Sequence, residues 1–303
     1  MCSFISFIAI AALLLTSVAS AADNSLQLSS QLSSQQSLQQ STQLSPQLAS
    51  SAQKIVSINL CLDGLLLKLV ERSRIDSLYY LSANPQFSPF TEQIKGIFLN
   101  RGLAEDIVPR NPDLILAGEF SSAELVTLLQ QLKFHVEVLP LPRSIDDITA
   151  HIRHFGKLVG NENAAEVMAG NIEQQLLLLD AEQHRQTKRL NAFWYSSNGV
   201  VVGGDTLENE LMLHAGLHNL ALDKHISGFK QIDLEELILA QPQVIIVESS
   251  DVEAFSLARE YIKHPALRKN NTRIIALPSS FSVCSAPVLA DVIKELRTRV
   301  SEL

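Results

Sequence analysis

The sequence predicts an α/β protein made of two similar lobes with parallel sheets, joined by a long helix. Three observations support this prediction. Short apolar strands alternate with helical stretches from Lys54 onward, one helix–proline–strand segment occurs twice, and a long strand-free helical region lies between the two copies. Continuous apolar strands that alternate with helices indicate parallel sheets covered on both faces. With 303 residues, 46% of them hydrophobic, the chain can bury cores of this kind.

The individual elements follow from local patterns. Strands are predicted where β-branched and apolar runs are bounded by turn residues, and helices where apolar residues recur at helical spacing. The predicted strands are Ile55–Ile58, Ile75–Tyr80, Leu114–Ala117, Val136–Leu139, Ala192–Tyr195, Val244–Val247 and Ile274–Leu277. The predicted helices cover 62–70, 104–109, 122–132, 145–159, 163–185, 207–215, 234–240, 253–261 and 287–301.

An internal repeat relates residues 105–116 to residues 235–246. Each copy reads as a short helix that begins with glutamate, then an amide residue and a proline, then an apolar strand. The residue before a proline is disfavoured in the α region, so the helix ends there and a strand can follow. Two copies 130 residues apart favour a duplicated lobe. The alternative is a chance recurrence of a common joint.

The region between the copies is expected to connect the lobes. It holds the two helices predicted at 145–159 and 163–185, and the second is long for a globular helix. A long helix between two α/β lobes acts as a stiff strut that permits only small relative movements. The predicted organisation is therefore an N-terminal lobe over 54–143, connecting helices over 144–188 and a C-terminal lobe over 189–303.

The first 53 residues carry two features that precede the predicted lobes. Residues 4–18 are uncharged and apolar or small, and Ala19-Ser20-Ala21 follows them, which predicts a secretory signal peptide over 1–21. A membrane anchor is the alternative, but the apolar run is short for a spanning helix. Residues 24–53 hold 10 Ser, 9 Gln and 6 Leu with repeated Gln-Leu-Ser units, so residues 22–53 are expected to form a low-complexity tether.

Composition and motifs exclude several function classes. The formal charge of −8 argues against a nucleic-acid partner, which normally meets a basic face. The sequence contains no G-x-S-x-G, H-E-x-x-H, Walker or G-x-G-x-x-G motif, so no enzyme class and no intrinsic cofactor is predicted. His214, His218 and His225 lie near one another, but Gly216 interrupts their helix. They are interpreted as ordinary surface or capping histidines, and no metal site is predicted.

Loops after the strands are the expected ligand positions, because open α/β sheets bind ligands outside the carboxyl ends of their strands. These loops mix aromatic, amide and guanidinium groups with turn glycines, which suits a polar and partly apolar ligand. Arg101 could meet a carboxylate or phosphate through its planar fork. The candidate ligand-binding residues are Asn59, Cys61, Asn100, Arg101, Tyr195, Asn198, Phe281 and Cys284.

Several of these segments together carry a family resemblance. The chain from about 54 to 300 resembles the periplasmic substrate-binding proteins of ABC importers for cobalamin and iron complexes. The order and spacing of the matching segments cover nearly all of the predicted lobes. The segments are 55–63, Asn100-Arg101-Gly102-Leu103-Ala104-Glu105, Asn111-Pro112-Asp113-Leu114-Ile115, Ser197-Asn198-Gly199, 215–221 and Cys284-Ser285-Ala286-Pro287.

The resemblance implies two Rossmann-like lobes joined by a long α-helix, the class III type of periplasmic binding protein, with the ligand held between them. The implied function is capture of an iron chelate (a siderophore complex), haem or cobalamin in the periplasm. Delivery would be to the permease dimer of an ABC importer and its ATPase, with the binding protein acting as a monomer. The alternatives are a secreted α/β enzyme and a periplasmic sensor or scaffold domain with the same fold.

Two pairs of residues complete the sequence-based predictions. Cys61 and Cys284 are placed at the cleft edges of opposite lobes, where they could form a disulfide, act as soft metal ligands or remain free thiols. Glu105 and Glu235 occupy equivalent positions in the repeat, where the helix dipole alone favours a carboxylate. In the family that the chain resembles, glutamates matching these two dock onto permease arginines, so Glu105 and Glu235 are predicted to bind the permease.

Overall fold

The structure of the protein, a computed structural model, describes residues 52–183, 189–196, 199–248, 262–269, 271–280, 284 and 288–302. The predicted signal peptide, nearly all of the tether and the helix predicted over 253–261 lie outside the described residues. No helix within the described ranges is long and apolar enough to cross a membrane.

The first lobe is built on a five-stranded sheet in which every pair of neighbours is parallel. The strand order is β3-β2-β1-β4-β5. The short strand β3 is the only member that the sequence pattern did not predict. The elements, in chain order, are β1 (Ile55–Ser57), α1 (Leu60–Leu69), β2 (Ile75–Tyr79), β3 (Phe98–Asn100), α2 (Ala104–Ile107), β4 (Leu114–Gly118), α3 (Ala123–Gln131) and β5 (Val136–Leu139).

Two helices follow the first lobe and pack against each other. They are α4 (Ile145–Val159) and α5 (Glu162–Gln183), which confirms both predicted helices of the connection. Gly160, at positive φ, ends α4 and turns the chain back. Gly156 permits close contact between the two helices, because a Cβ atom at this position would lie 2.2 Å from Cβ of Ala165. Arg153 of α4 also binds Glu166 and Glu173 of α5.

The second lobe combines parallel strands with an antiparallel extension. Strands β11, β10 and β6 are parallel neighbours, and β8 pairs parallel to the first three residues of β6. Strand β7 pairs antiparallel to the end of β6, and β9 pairs antiparallel to β7. The connection from β6 to β7 is too short for a parallel pair, because parallel neighbours need a crossover of a dozen or more residues. The two strands therefore run in opposite directions. The elements are β6 (Leu190–Ser196), β7 (Val200–Val202), α6 (Leu207–His214), β8 (Leu217–Asn219), α7 (Leu220–Asp223), β9 (Phe229–Gln231), α8 (Leu234–Leu239), β10 (Val244–Glu248), α9 (Pro265–Lys269), β11 (Arg273–Leu277) and α10 (Leu289–Ser301).

The internal repeat is visible in equivalent backbone geometry in the two lobes. Asn111 and Gln241, the residues before the two prolines, both adopt a left-handed conformation, with φ of 47° and 48°. After each proline the chain enters a central strand that pairs parallel to the first strand of its lobe. The N–H of Asp113 donates to Lys54 O at 2.9 Å, and the N–H of Gln243 donates to Asn191 O at 2.8 Å. This agreement supports duplication over a chance recurrence.

One hydrophobic core links both lobes to the connecting helices. It runs from Leu66 on α1 through Phe155 on α4 to Trp194 on β6, all of them fully or almost fully buried. Hydrogen bonds reinforce the junction: Ile145 N donates to Oε2 of Glu210 at 2.6 Å, and Nδ2 of Asn161 donates to Leu69 O at 2.9 Å. The connection is therefore a helix pair that packs on both lobes.

Candidate functional site

A cavity of about 390 Å³ lies between the two lobes. Its first wall comes from Cys61, Phe120 and residues 141–143 of the first lobe and from Ile148 on α4. Most of these residues follow the carboxyl ends of β1, β4 and β5, where ligands of open α/β sheets bind. The opposite wall is formed by residues 205–208, Gly228, Phe229 and Cys284. The volume lies within the usual range for small-molecule sites.

Two phenylalanine rings give the cavity much of its apolar surface. Phe120 is 77% exposed and follows β4 of the first lobe, whereas Phe229 is 65% exposed and begins β9 of the second lobe. Exposed aromatic rings that line a concave site indicate a partner that covers them. Each lobe therefore contributes one exposed aromatic ring to the cavity.

A disulfide between Cys61 and Cys284 joins the two walls of the cavity. The Cα atoms lie 4.9 Å apart and the bond spans 223 residues of sequence. Of the three states considered for these cysteines, the structure contains the disulfide. Cys61 is positioned by Asn59, whose Oδ1 caps α1 by accepting the N–H of Cys61 at 3.0 Å and that of Leu62 at 3.2 Å.

Arg143 is the only cationic side chain in the described lining of the cavity. Its Nη2 lies 2.7 Å from Oε1 of Glu119, and its backbone N–H donates to Oδ2 of Asp147 at 3.1 Å. Glu119 also accepts the N–H of Leu141 at 3.0 Å. These contacts hold residues 141–143 in place and balance the guanidinium charge within the first lobe.

The opposite wall carries two acidic side chains, Asp205 and Glu208. Asp205 adopts a left-handed conformation with φ of 58°, and its Oδ2 accepts the hydroxyl of Ser227 at 2.7 Å. Burial raises the pKa of Glu208, a hydrogen bond from its own backbone N–H lowers that pKa in part, and the charge of Glu248 raises it. Gly203 permits this turn, because a Cβ atom there would lie 2.2 Å from Ile226 O.

Four other predicted ligand residues lie within the described ranges, and none of them lines the described part of the cavity: Asn59, Asn100, Arg101 and Tyr195. Asn100 is fully buried in the first sheet, where its Nδ2 donates to Ser57 O at 2.8 Å and to Leu78 O at 2.9 Å. Tyr195 is buried in the core of the second lobe. Both side chains are therefore packed inside a lobe and do not line the described part of the cavity.

Arg101 and Asn59 also make local contacts. Arg101 is exposed and forms a two-point ion pair with Asp106, at 3.1 Å and 3.2 Å, which lowers the pKa of that carboxyl. Asn59 caps α1, as described above. Asn198 and Phe281 lie outside the described residues.

Apart from Cys61 and Cys284, the described lining of the cavity consists of residues that the sequence analysis did not nominate. Phe120 and Arg143 follow the predicted strands at 114–117 and 136–139, so the rule about strand ends could have found them. Glu208 reads as an ordinary first-turn glutamate, and Phe229 belongs to an exposed strand with no apolar run. The described residues include no group of three or more His, Cys, Asp and Glu side chains that could hold a metal ion.

Asp63, two residues beyond Cys61 on α1, is a buried carboxyl that does not line the described part of the cavity. Burial raises its pKa from 3.8 to about 8, although hydrogen bonds from Ser57, Ser82 and the Tyr79 backbone lower the pKa in part. Oδ2 accepts the Tyr79 N–H at 2.9 Å and the Ser82 hydroxyl at 2.5 Å. These two hydrogen bonds anchor the start of α1 to the end of β2 and to the turn that follows it.

Asp63 predicts a pH dependence of stability. Between pH 4 and 8 the folded protein binds more protons than the unfolded chain, so this carboxyl lowers the free energy of unfolding as pH rises, by at most about 1.4 kcal/mol per pH unit. Asp63→Asn removes the ionisation. Urea unfolding at several pH values should show wild type losing stability relative to Asp63→Asn up to about pH 8. Parallel pH profiles for the two proteins would contradict this assignment.

Glu105 and Glu235 are both exposed and lie in the first turns of α2 and α8. Each of these helices leads through the repeated proline joint into the amino end of a central strand. The helix starts therefore lie toward the carboxyl edge of the sheets, where the cavity is. Among the described residues, neither carboxylate lies within 4 Å of a basic side chain.

Comparison with known proteins assigns the fold to a family. A model of the periplasmic binding protein family matches residues 56–280, most of the chain. The chain belongs to this family. Its members are binding proteins rather than enzymes. A cobalamin-binding protein of Halobacterium salinarum is 22% identical over 228 residues, which cover 74% of this chain and 61% of that relative's length.

Solved structures of family members share the two-lobed fold. The haem-binding protein RhuT of Roseiflexus sp. RS-1 is 22% identical with a TM-score of 0.69, over 83% of this chain and 99% of that one. The vitamin B12-binding protein BtuF of Vibrio cholerae is 18% identical with a TM-score of 0.62, over 83% and 97%. The class III periplasmic binding protein fold implied by the sequence resemblance is confirmed.

Proposed function

We propose that this family member captures a metal complex, such as an iron chelate, haem or cobalamin, and delivers it to an ABC importer. The observation that carries the proposal is the cavity between the lobes, which exposes one phenylalanine from each side. Flat faces of a macrocycle or chelate would cover these rings. Relatives named for cobalamin and haem binding support this ligand class.

The remaining parts of the proposal concern export and delivery. Residues 1–21 would direct the chain to the periplasm, and residues 22–53 would tether the folded lobes, which comprise 54–143 and 189–303 with connecting helices over 144–188. Glu105 and Glu235 would bind the two equivalent basic patches of a permease dimer. Their exposure and their equivalent positions in the repeat support this role.

Ligand capture is tested directly by mass spectrometry and calorimetry. Native mass spectrometry of the protein isolated from its own cells should show a bound metal complex at one-to-one stoichiometry. Titration of the emptied protein with hemin, cyanocobalamin and a ferric siderophore should show tight binding of at least one of them. No bound mass and no heat with any of the three would contradict the proposal.

The two cavity phenylalanines give a sharper prediction. Phe120→Ala and Phe229→Ala should each weaken binding of the captured ligand roughly tenfold, because each removes an apolar contact surface. Phe98→Ala is the matched control, since that ring is exposed on the edge strand β3 and lies outside the cavity lining. Calorimetry checks all three variants. Equal affinities for the cavity variants and the control would remove the rings from the site.

A further inference from the structure

The charges that line the cavity are unevenly divided between the two lobes. The first lobe contributes Arg143, whose guanidinium is already paired with Glu119 at 2.7 Å. The second lobe contributes Asp205 and Glu208. The described lining therefore carries an excess of acidic groups.

Glu208 is the more desolvated of the two acids. Its side chain is half-buried at the start of α6, and burial together with Glu248 works against its ionisation. A buried carboxylate is stable only when donors or cations surround it. A ligand group that donates a hydrogen bond would satisfy Glu208, whereas a ligand carboxylate would add a further negative charge beside Asp205.

Asp205 is held in place before any ligand arrives. Three features fix the turn: its left-handed backbone, the hydroxyl of Ser227 at 2.7 Å, and two backbone hydrogen bonds of Gly228. The N–H of Gly228 donates to Gly204 O at 2.8 Å, and Gly228 O accepts the N–H of Gly203 at 2.7 Å. Non-glycine residues adopt this conformation rarely, and such strain concentrates at functional sites. The turn thus presents a fixed acceptor to the cavity.

We propose that Asp205 and Glu208 determine ligand specificity: they select a metal complex whose rim carries amide or ammonium N–H donors and reject one whose rim carries free carboxylates. This inference rests on the proposed function and adds the residues that choose among its ligands. Of the two macrocycles considered, it favours an amide-rimmed corrinoid over a haem with two propionates.

The test compares cyanocobalamin and hemin as probes in calorimetry. Wild type should bind cyanocobalamin at least tenfold more tightly than hemin. The double variant Asp205→Asn/Glu208→Gln keeps the side-chain shapes and should reduce that preference at least tenfold, because charge-assisted hydrogen bonds are lost and propionate repulsion is relieved. Glu208→Lys should shift the preference toward hemin. Glu71→Gln is the control, because Glu71 is exposed and lies outside the described lining of the cavity. It follows the far end of α1, a helix roughly 15 Å long whose other end carries Cys61.

The results separate the specificity role of Asp205 and Glu208 from the proposed capture of a metal complex. A preference for hemin in wild type, or a preference for cyanocobalamin that the double variant leaves unchanged, would overturn the role of Asp205 and Glu208. Either outcome would still support capture of a metal complex. Absence of binding to hemin, cyanocobalamin and a ferric siderophore would instead contradict the proposed function, and the specificity inference with it.

Discussion

Reversing the charge of Glu105 and Glu235 together is expected to abolish ligand uptake by cells while leaving ligand affinity unchanged. Both carboxylates are exposed, they begin equivalent helices of the two lobes, and neither lines the described part of the cavity. Glu→Arg at both positions would place like charges opposite the basic patches of a permease, which costs several kcal/mol and slows association. Uptake of labelled ligand and calorimetry on the purified protein measure the two quantities.

The matched control reverses two other exposed glutamates, Glu71 and Glu302. It changes the net charge by the same amount, so it separates a local docking effect from loss of general electrostatic steering. Control cells should retain uptake. Normal uptake by the Glu105→Arg/Glu235→Arg variant would refute the docking role, and lost ligand affinity would place the two residues in the binding site.

Removing the disulfide is expected to cause the largest loss of stability. The bond closes 223 residues of sequence, and in the chain-entropy model a loop of this length is stabilised by about 5 kcal/mol. For a protein of this size the unfolding temperature should fall by roughly 10–20 °C. The variant Cys61→Ala/Cys284→Ala, compared with wild type by scanning calorimetry, measures the change.

A reductant provides the internal control for this result. It should lower the unfolding temperature of wild type to that of the double variant and leave the double variant unaffected. Alkylation of the denatured, unreduced protein, followed by peptide mass spectrometry, should leave Cys61 and Cys284 unmodified. Modification of both cysteines would show that the bond is absent and would remove the expected stability difference.

The long-range order of the fold was largely predictable because it depends on patterns of many residues. All seven predicted strands are present, and the duplicated proline joint anticipated equivalent geometry at Asn111 and Gln241. Four strands, β3, β7, β8 and β9, were missed, and each has only three residues. Phe229–Gln231 is exposed at every position, so it has neither an apolar run nor alternation to mark it.

The site was less predictable because its residues depend on where separate loops meet. Asn100 and Arg101 read as a polar loop, yet the first is buried among backbone groups of neighbouring strands and the second pairs with Asp106. The position of Cys61 and Cys284 at the cavity was predictable, because the strand-end rule locates a loop without needing to know which contacts its side chains make. Glu208 became distinctive only through its burial and its position opposite Arg143.

Trp194 gives the protein a built-in optical probe. It is the only tryptophan of the chain, it is 1% exposed, and it lies in the core that β6 shares with the connecting helices. Its fluorescence therefore reports whether the lobe and the helix pair remain packed, and a red shift marks the loss of that packing. Because Trp194 does not line the cavity, an absorbing ligand would quench its emission by energy transfer through space. A single spectrum can thus distinguish an unfolded protein from a loaded one.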